Sequence, residues 1–240
     1  MAKTREDYLA RLETALQDDA EKLQPDDKYR ILEQAVVIFS KDKPYTKIEE
    51  KDGDGSAYDF ALPDDWIDSF SYIVGKIEYP ADDYQNPQYI EDSDWKFFKK
   101  LVATVKTTYL RILNFIPADG KTLRYEYALP HTLNETTCTI HDSDIEAVIS
   151  LAAALCFWAL AAKFSQSTDS TIEADVIDYQ RKSDLYSALA KEKMAVYNSL
   201  MGLGEESKGS GAASAGISVK DLDIEYSWKE DMLTHPARFR

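Results

Sequence analysis

Apolar positions recur at helical spacing near both ends of the chain and at alternate positions between them, so the pattern predicts helix, then strand, then helix. Within 4–23, Tyr8, Leu9, Leu12, Ala15, Leu16 and Leu23 form one stripe with charge opposite. Pro25 with Asp26 and Asp27 closes that helix and opens a second, expected over 27–40, because acids are favourable at a helix N-terminus. Tyr29, Ile31, Leu32, Ala35, Val36 and Phe39 supply its apolar side, and Pro44 stops it.

From Tyr45 the texture changes. Two short extended stretches up to Leu62 flank Asp52-Gly53-Asp54-Gly55, the composition of a hairpin turn. Pro63 to Trp66 reads as a helical turn. Runs 71–79, 95–98, 109–115 and 122–127 have strand content, and Leu123 to Tyr127 alternates strictly between apolar and charged residues. Pro80, Pro87, Pro117 and Pro130 fall between these runs. Residues 43–141 are therefore expected to be a β-rich insertion.

Helix returns after Ser143-Asp-Ile-Glu146, a capping-box pattern, and continues to about Phe164 with apolar residues on nearly every side. Such a helix must be covered all round, which makes it the expected central post of a bundle. Ser170-Thr-Ile-Glu173 offers a second capping box, ahead of a helix over 171–201. Its expected apolar seam is Leu185, Leu189, Val196 and Leu200, with Arg181, Lys182, Lys191, Glu192 and Lys193 mostly solvated. Residues 203–218 have linker composition. Beyond them Leu222, Ile224, Tyr226 and Trp228 alternate with Asp223, Glu225 and Ser227, a half-buried strand with no assured partner in its own domain. The expected class is α+β and mainly helical: a bundle from 1–42 and 142–202, the insertion 43–141, the linker, and a docking arm over 219–240.

Composition narrows the function. The 240 residues are ample for a core, and 44% are hydrophobic. A formal net charge of −15 disfavours free nucleic acid and anionic membrane surfaces as main ligands. The first twenty residues lack the apolar core of a signal peptide. The apolar run 147–162 is shorter than the roughly 18–20 residues of a membrane span and is read as a core helix. Two cysteines, Cys138 and Cys156, make no disulfide framework and point to a reducing compartment.

The candidate chemistry is thin. Asp52, Asp54 and Asp59 suggest calcium, but no terminal glutamate completes a twelve-residue loop, so the turn reading is preferred. Cys138, His131 and His141 lack a fourth ligand and paired spacing for structural zinc, and the Cys–His spacing alone does not make a nucleophile. His235 is the third histidine. Asp64, Asp65, Asp82, Asp83, Glu91, Asp92 and Asp94 crowd loops without singling out a pair for general acid–base work. No phosphate-binding, dinucleotide-binding or nucleophile-elbow motif occurs. The expectation is no catalytic residue, no metal and no cofactor. The terminal strand reads either as an arm that folds back on its own β insertion or, the preferred reading, as one that adds to another subunit or another protein.

In layout the chain resembles the head–tail adaptor (connector) proteins of tailed bacteriophages. The resemblance rests on the N-terminal helix pair with Tyr8-Leu9 and Ile31-Leu32, and on Leu62-Pro-Asp-Asp-Trp66, Leu110-Arg-Ile-Leu113 and Tyr127-Ala-Leu-Pro-His131 in the insertion. It extends through Asp144-Ile-Glu-Ala-Val148, Leu151-Ala-Ala-Ala-Leu155, Ser167-Thr-Asp-Ser-Thr171 and Lys182-Ser-Asp-Leu-Tyr186, and covers about 1–202. The β insertion is larger than in minimal all-helical members.

The resemblance implies a structural virion protein rather than an enzyme: a homo-oligomeric ring, commonly dodecameric, in the neck at the head–tail interface, assembled in the host cytoplasm. It implies a portal protein above, a stopper or tail protein below, DNA passing through the lumen without specific binding, and no membrane. Arms in that family often extend into the portal, which would make Leu222, Ile224, Tyr226 and Trp228 anchors and Phe239-Arg240 a tip. A lumen lined by acidic residues would repel phosphate and let a duplex slide. A tail terminator or completion protein is the structural alternative. An accessory carbohydrate-binding or enzymatic module acting through the tyrosine-rich insertion is the other.

Overall fold

The computed structural model describes residues 3–81, 87–102, 105–166 and 173–203. Two compact units divide at Tyr197/Asn198. In the first, helix α1 (Arg5–Leu16) opens with a reciprocal cap: Asp7 N–H donates to Thr4 Oγ1, and Thr4 N–H donates to Asp7 Oδ2 at 2.8 Å. It ends sooner than the apolar stripe suggests. Gln17 takes φ 52, and a 3₁₀ turn, Gln17–Lys22, follows. That turn still delivers Ala20 and Leu23 to the core. Helix α2 (Pro25–Asp42) begins with proline in its first turn, where no N–H is missed, and runs two residues past the expected end.

Helix α3 (Ile145–Gln166) packs against both α1 and α2. Val148, Ala152, Ala153, Ala154, Cys156 and Leu160 are fully buried, the alanines allowing close helix approach. Its entry differs from the expected Ser143 box: a 3₁₀ turn, Asp142–Asp144, precedes the helix, and the His141 side chain accepts from Ser143 N–H. Length alone does not separate α3 from a membrane span. A 24-residue stretch, Asp142–Ser165, is long and apolar enough to cross one, but 72% of the apolar window is buried inside the protein. Burial makes it a core helix.

Among the described residues seven strands lie between α2 and α3: β1 (Tyr45–Asp52), β2 (Asp59–Ala61), β3 (Ile73–Glu78), β4 (Tyr89–Ile90), β5 (Trp95–Val102), β6 (Val105–Ile112) and β7 (Thr122–Leu129). They form two antiparallel sheets, β1-β7-β3-β4 and β2-β6-β5. One core serves both. Leu123, Tyr125, Tyr127, Leu129, Ile77 and Ile90 from the first sheet meet Phe60, Leu110 and Ile112 from the second. The alternation of Leu123 to Tyr127 now has its cause, since the apolar residues point into this core and Arg124 and Glu126 point away.

Two expectations are overturned. The protein is not mainly helical: among the described residues four α-helices stand beside seven strands with a core of their own, so the class is mixed α+β. The strands all fall within residues 43–141, where the β-rich insertion was expected, and carry a core of their own. The stretches around Asp52–Gly55 do not pair as a hairpin either. β1 pairs with β7 and β2 with β6, so the turn carries the chain from one sheet to the other. Asp54 Oδ1 accepts from Ser56 N–H and Ala57 N–H at 2.8 and 2.7 Å. Gly53 lies so close to the Pro117–Ala118 backbone that a Cβ there would come within 2.5 Å of Ala118 O. The turn is held against 117–121, not against its own flanks.

Helix α4 (Glu173–Leu200) lies against the α1–α3 layer through Tyr186, Ala190 and Tyr197. The Tyr186 ring stacks on Phe157 and Phe164, and its hydroxyl donates to Asp19 Oδ1 at 2.9 Å. Ser183 Oγ donates to Ala161 O at 3.0 Å, and Tyr197 OH donates to Asp42. In the second unit the helix closes with the Leu203 N–H to Asn198 O and Gly202 N–H to Ser199 O bonds around a glycine at φ 68, a Schellman ending.

Candidate docking surfaces

The residues suspected of metal or acid–base chemistry are not brought together. Asp52 accepts from Thr122 Oγ1, Asp54 caps its own turn, and Asp59 is engaged by Arg111. Backbone donors hold the Asp54 carboxyl below the usual carboxylate range. Asp65 bridges Lys47 and Tyr127, and Asp94 accepts from Asn114. Asp82 and Asp83 lie outside the described residues. Among the described residues no group of three or more His, Cys, Asp or Glu side chains could hold a metal ion.

The Cys138, His131 and His141 trio disperses likewise. Cys138 Sγ lies 3.6 Å from the buried Tyr8 hydroxyl, whose pKa is driven up by burial and by that thiol. His141 serves the α3 cap. His131 is a clasp: Nε2 faces Lys43 O at 3.0 Å, Nδ1 faces Thr139 Oγ1 at 3.1 Å, and the ring lies against Phe39 and Tyr45. These contacts assign the proton to Nε2. Cys156 is fully buried, and burial pushes its thiol up to about 12, far from a thiolate nucleophile.

Two surfaces stand out instead. The first is on α4. Its expected apolar seam is only partly turned to the core: in the first unit Leu185 and Val196 are 57% and 39% exposed and Leu189 is half-buried, while the buried register is Tyr186, Ala190 and Tyr197. The expected stripe lies on the right helix but one residue out of phase, because tyrosine is the residue that buries. On α3, Trp158 is also exposed.

The second is the free edge of the three-stranded sheet. β5 pairs only with β6, so one side of its backbone lacks a strand partner among the described residues. Sequence reasoning missed it, although a signal was present. From Trp95 to Ile112 the chain carries Lys96, Lys99, Lys100, Lys106 and Arg111 and no acid, inside a protein of net charge −15. One face of β5 shows Trp95, Phe97 and Leu101, with Phe97 against Trp66 and Trp95, and with Leu101 66% exposed. The opposite face holds Lys96, Phe98 and Lys100. There Arg111 lies 4.0 Å over the Phe98 ring and makes a bidentate pair with Asp59 at 2.5 and 2.8 Å. Arg111 holds the Asp59 carboxyl below its ordinary range. Lys99 on the core side pairs with Asp68 at 3.1 Å.

The expected arm residues Leu222, Ile224, Tyr226, Trp228, Phe239 and Arg240 lie outside the described residues, as do 204–218 of the linker and 170–172 of the second capping box.

The fold is that of a mixed α+β protein, with an exposed apolar side on α4 and, among the described residues, a sheet edge on β5 without a strand partner. Compared with known proteins, the chain matches no family model, and no curated protein matches it significantly.

Proposed function

We propose that this protein is a structural part of a tailed-phage virion: a head–tail adaptor that forms a ring, docks on the portal and continues the DNA channel toward the tail. The observation that carries this reading is the exposed seam of α4. A helix that buries one face on its own fold and leaves Leu185 and Val196 to solvent has a second face suited to a neighbouring copy. Helices placed side by side round a ring use such a face, and the acidic charge suits a channel through which DNA slides without adhering. Helices of 12, 18, 22 and 28 residues set the sheet-dominated tail-completion alternative behind. Asp65 and Asp94, each engaged by its own partners, give no support to a glycosidase-like module.

Negative-stain images of the purified protein, alone and mixed with its portal, test the proposal. A closed ring that caps the portal is expected. Deleting 204–240 should leave a folded body, by circular dichroism and melting, that no longer stays on its partner. A strictly monomeric protein at high concentration and with portal present, or a truncation that unfolds, would defeat it.

A further inference from the structure

We infer that the free edge of β5 receives residues 221–228 of a second copy of this chain, which add to the sheet as a fourth strand. That the arm comes from a neighbouring copy rests on the ring reading; the choice of edge rests on the chemistry of the strand. Two edges of useful length are open among the described residues, β1 and β5. β1 carries Lys47, Glu49, Glu50, Lys51 and Asp52, and its lysines are already paired, Lys47 with Asp65 and Lys51 with Glu49. An acidic strand gains nothing there. β5 carries three lysines and no acid.

The alternation matches face by face. The arm sets Leu222, Ile224, Tyr226 and Trp228 on one side and Asp221, Asp223, Glu225 and Ser227 on the other. β5 sets Trp95, Phe97, Leu101 and the Asp68-paired Lys99 on the core side, and Lys96, Phe98 and Lys100 on the outer side. In the antiparallel register that places Asp223 opposite Lys100, Leu222 meets Leu101, Tyr226 meets Phe97 and Trp228 meets Trp95, with Lys99 falling opposite Ile224. Glu225 then lies opposite Phe98 and diagonal to both Lys96 and Lys100, within reach of long side chains. The added strand extends the apolar layer over Leu101, pairs acids with lysines on the wet face, and satisfies the bare backbone edge. A one-residue slip either way would put an acid opposite Phe97 or Leu101, so the pattern itself selects the register. Such an edge, long and partly apolar, is an aggregation hazard if left bare, and an intermolecular strand removes it.

The test uses full-length protein, an equal mixture of unlabelled and ¹⁵N-labelled copies, and a zero-length carbodiimide cross-linker read by mass spectrometry. Lys100 joined to Asp223 or Glu225, with one light and one heavy peptide in the same product, is the expected result. The double variant Lys96→Glu/Lys100→Glu should lower the summed yield of links from Asp223 and Glu225 to all lysines at least tenfold, with unchanged circular dichroism. Adding Asp223→Lys/Glu225→Lys to that variant should restore carboxylate–lysine links between the same positions. Products confined to same-isotope pairs would mean the arm folds back on its own sheet, and would overturn the inference. So would links from Asp223 and Glu225 only to lysines elsewhere, or none at all, or a yield indifferent to the charge reversals. A ring seen in images without these links defeats the docking and leaves the adaptor reading standing. Links between copies in a mere dimer do the reverse.

Discussion

At the scale of single residues, two tyrosines on the same face of β7 show how partners decide energetics. Tyr125 and Tyr127 both point into the shared core of the two sheets. The Tyr127 hydroxyl donates to Asp65 Oδ1 at 2.7 Å, whereas the buried Tyr125 hydroxyl has no hydrogen-bond partner among the described residues. Burial drives the pKa of both phenols upward. A buried hydroxyl with no partner has lost its water for nothing, at a cost of about 1–3 kcal/mol. Tyr125→Phe is therefore expected to leave stability unchanged or raise it by up to ~1 kcal/mol. Tyr127→Phe removes a charge-assisted bond and should lower stability by about 1–2 kcal/mol. Urea unfolding of the two variants side by side checks the contrast, and equal losses would contradict it.

At the scale of elements, the join between helices and sheets is made by a few side chains at the end of α2. Ser40 Oγ donates to Val36 O at 2.6 Å and accepts from His131 N–H at 2.9 Å, and the His131 ring reaches back to Lys43 O. Burial holds the His131 pKa below its ordinary value of 6.5, with the bonds to Lys43 and Thr139 opposing. The unfolded chain then binds this proton more readily than the folded one. The stability from a neutral His131 is fully present above about pH 6.5 and is lost as pH falls through the depressed folded value. His131→Asn should flatten the stability profile between about pH 7 and 5 and leave the steeper carboxylate-driven loss below about pH 4 in place. Melting temperatures across that range would show it, and an unchanged slope would remove the histidine from the account.

Elements also mark where sequence reading is most and least secure. The helices at 5–16, 25–42 and 145–166 are legible because apolar residues repeated on one face, or on every face, over three or more turns fit a helix and not a strand. The expected hairpin at Asp52–Gly55 fails because Gly-Asp turns signal a reversal without naming the partner strand. Which strands pair is set by long-range burial, here by Leu123, Tyr125 and Tyr127 between β1 and β3.

At the scale of the whole molecule, the exposed seam on α4 is the testable link to assembly. Leu185 is 57% exposed and Val196 39%, so Leu185→Glu is expected to change monomer stability by no more than about 0.5 kcal/mol and Val196→Glu by about 1 kcal/mol. In a side-by-side ring the same substitutions bury a charge at a subunit contact and should shift sedimentation from oligomer to monomer. Loss of the folded state, or an oligomer indifferent to both charges, would separate α4 from the assembly contact.

What the sequence determined by itself was local: where periods of 3.6 and of 2 begin and end, that α3 must be buried, that the last long helix stops near Leu200, and that the chain is strongly acidic. These follow from neighbouring residues, whose spacing along the backbone dictates which share a face. What only the tertiary structure decided was non-local: two sheets around one core with β1 joined to β7 and not to β2, the dispersal of the suspected ligands among separate partners, the face of α4 turned to solvent, and, among the described residues, an edge of β5 without a strand partner. Each depends on which distant segment covers a given surface. Chain spacing does not encode that contest; the competition of whole faces for burial settles it.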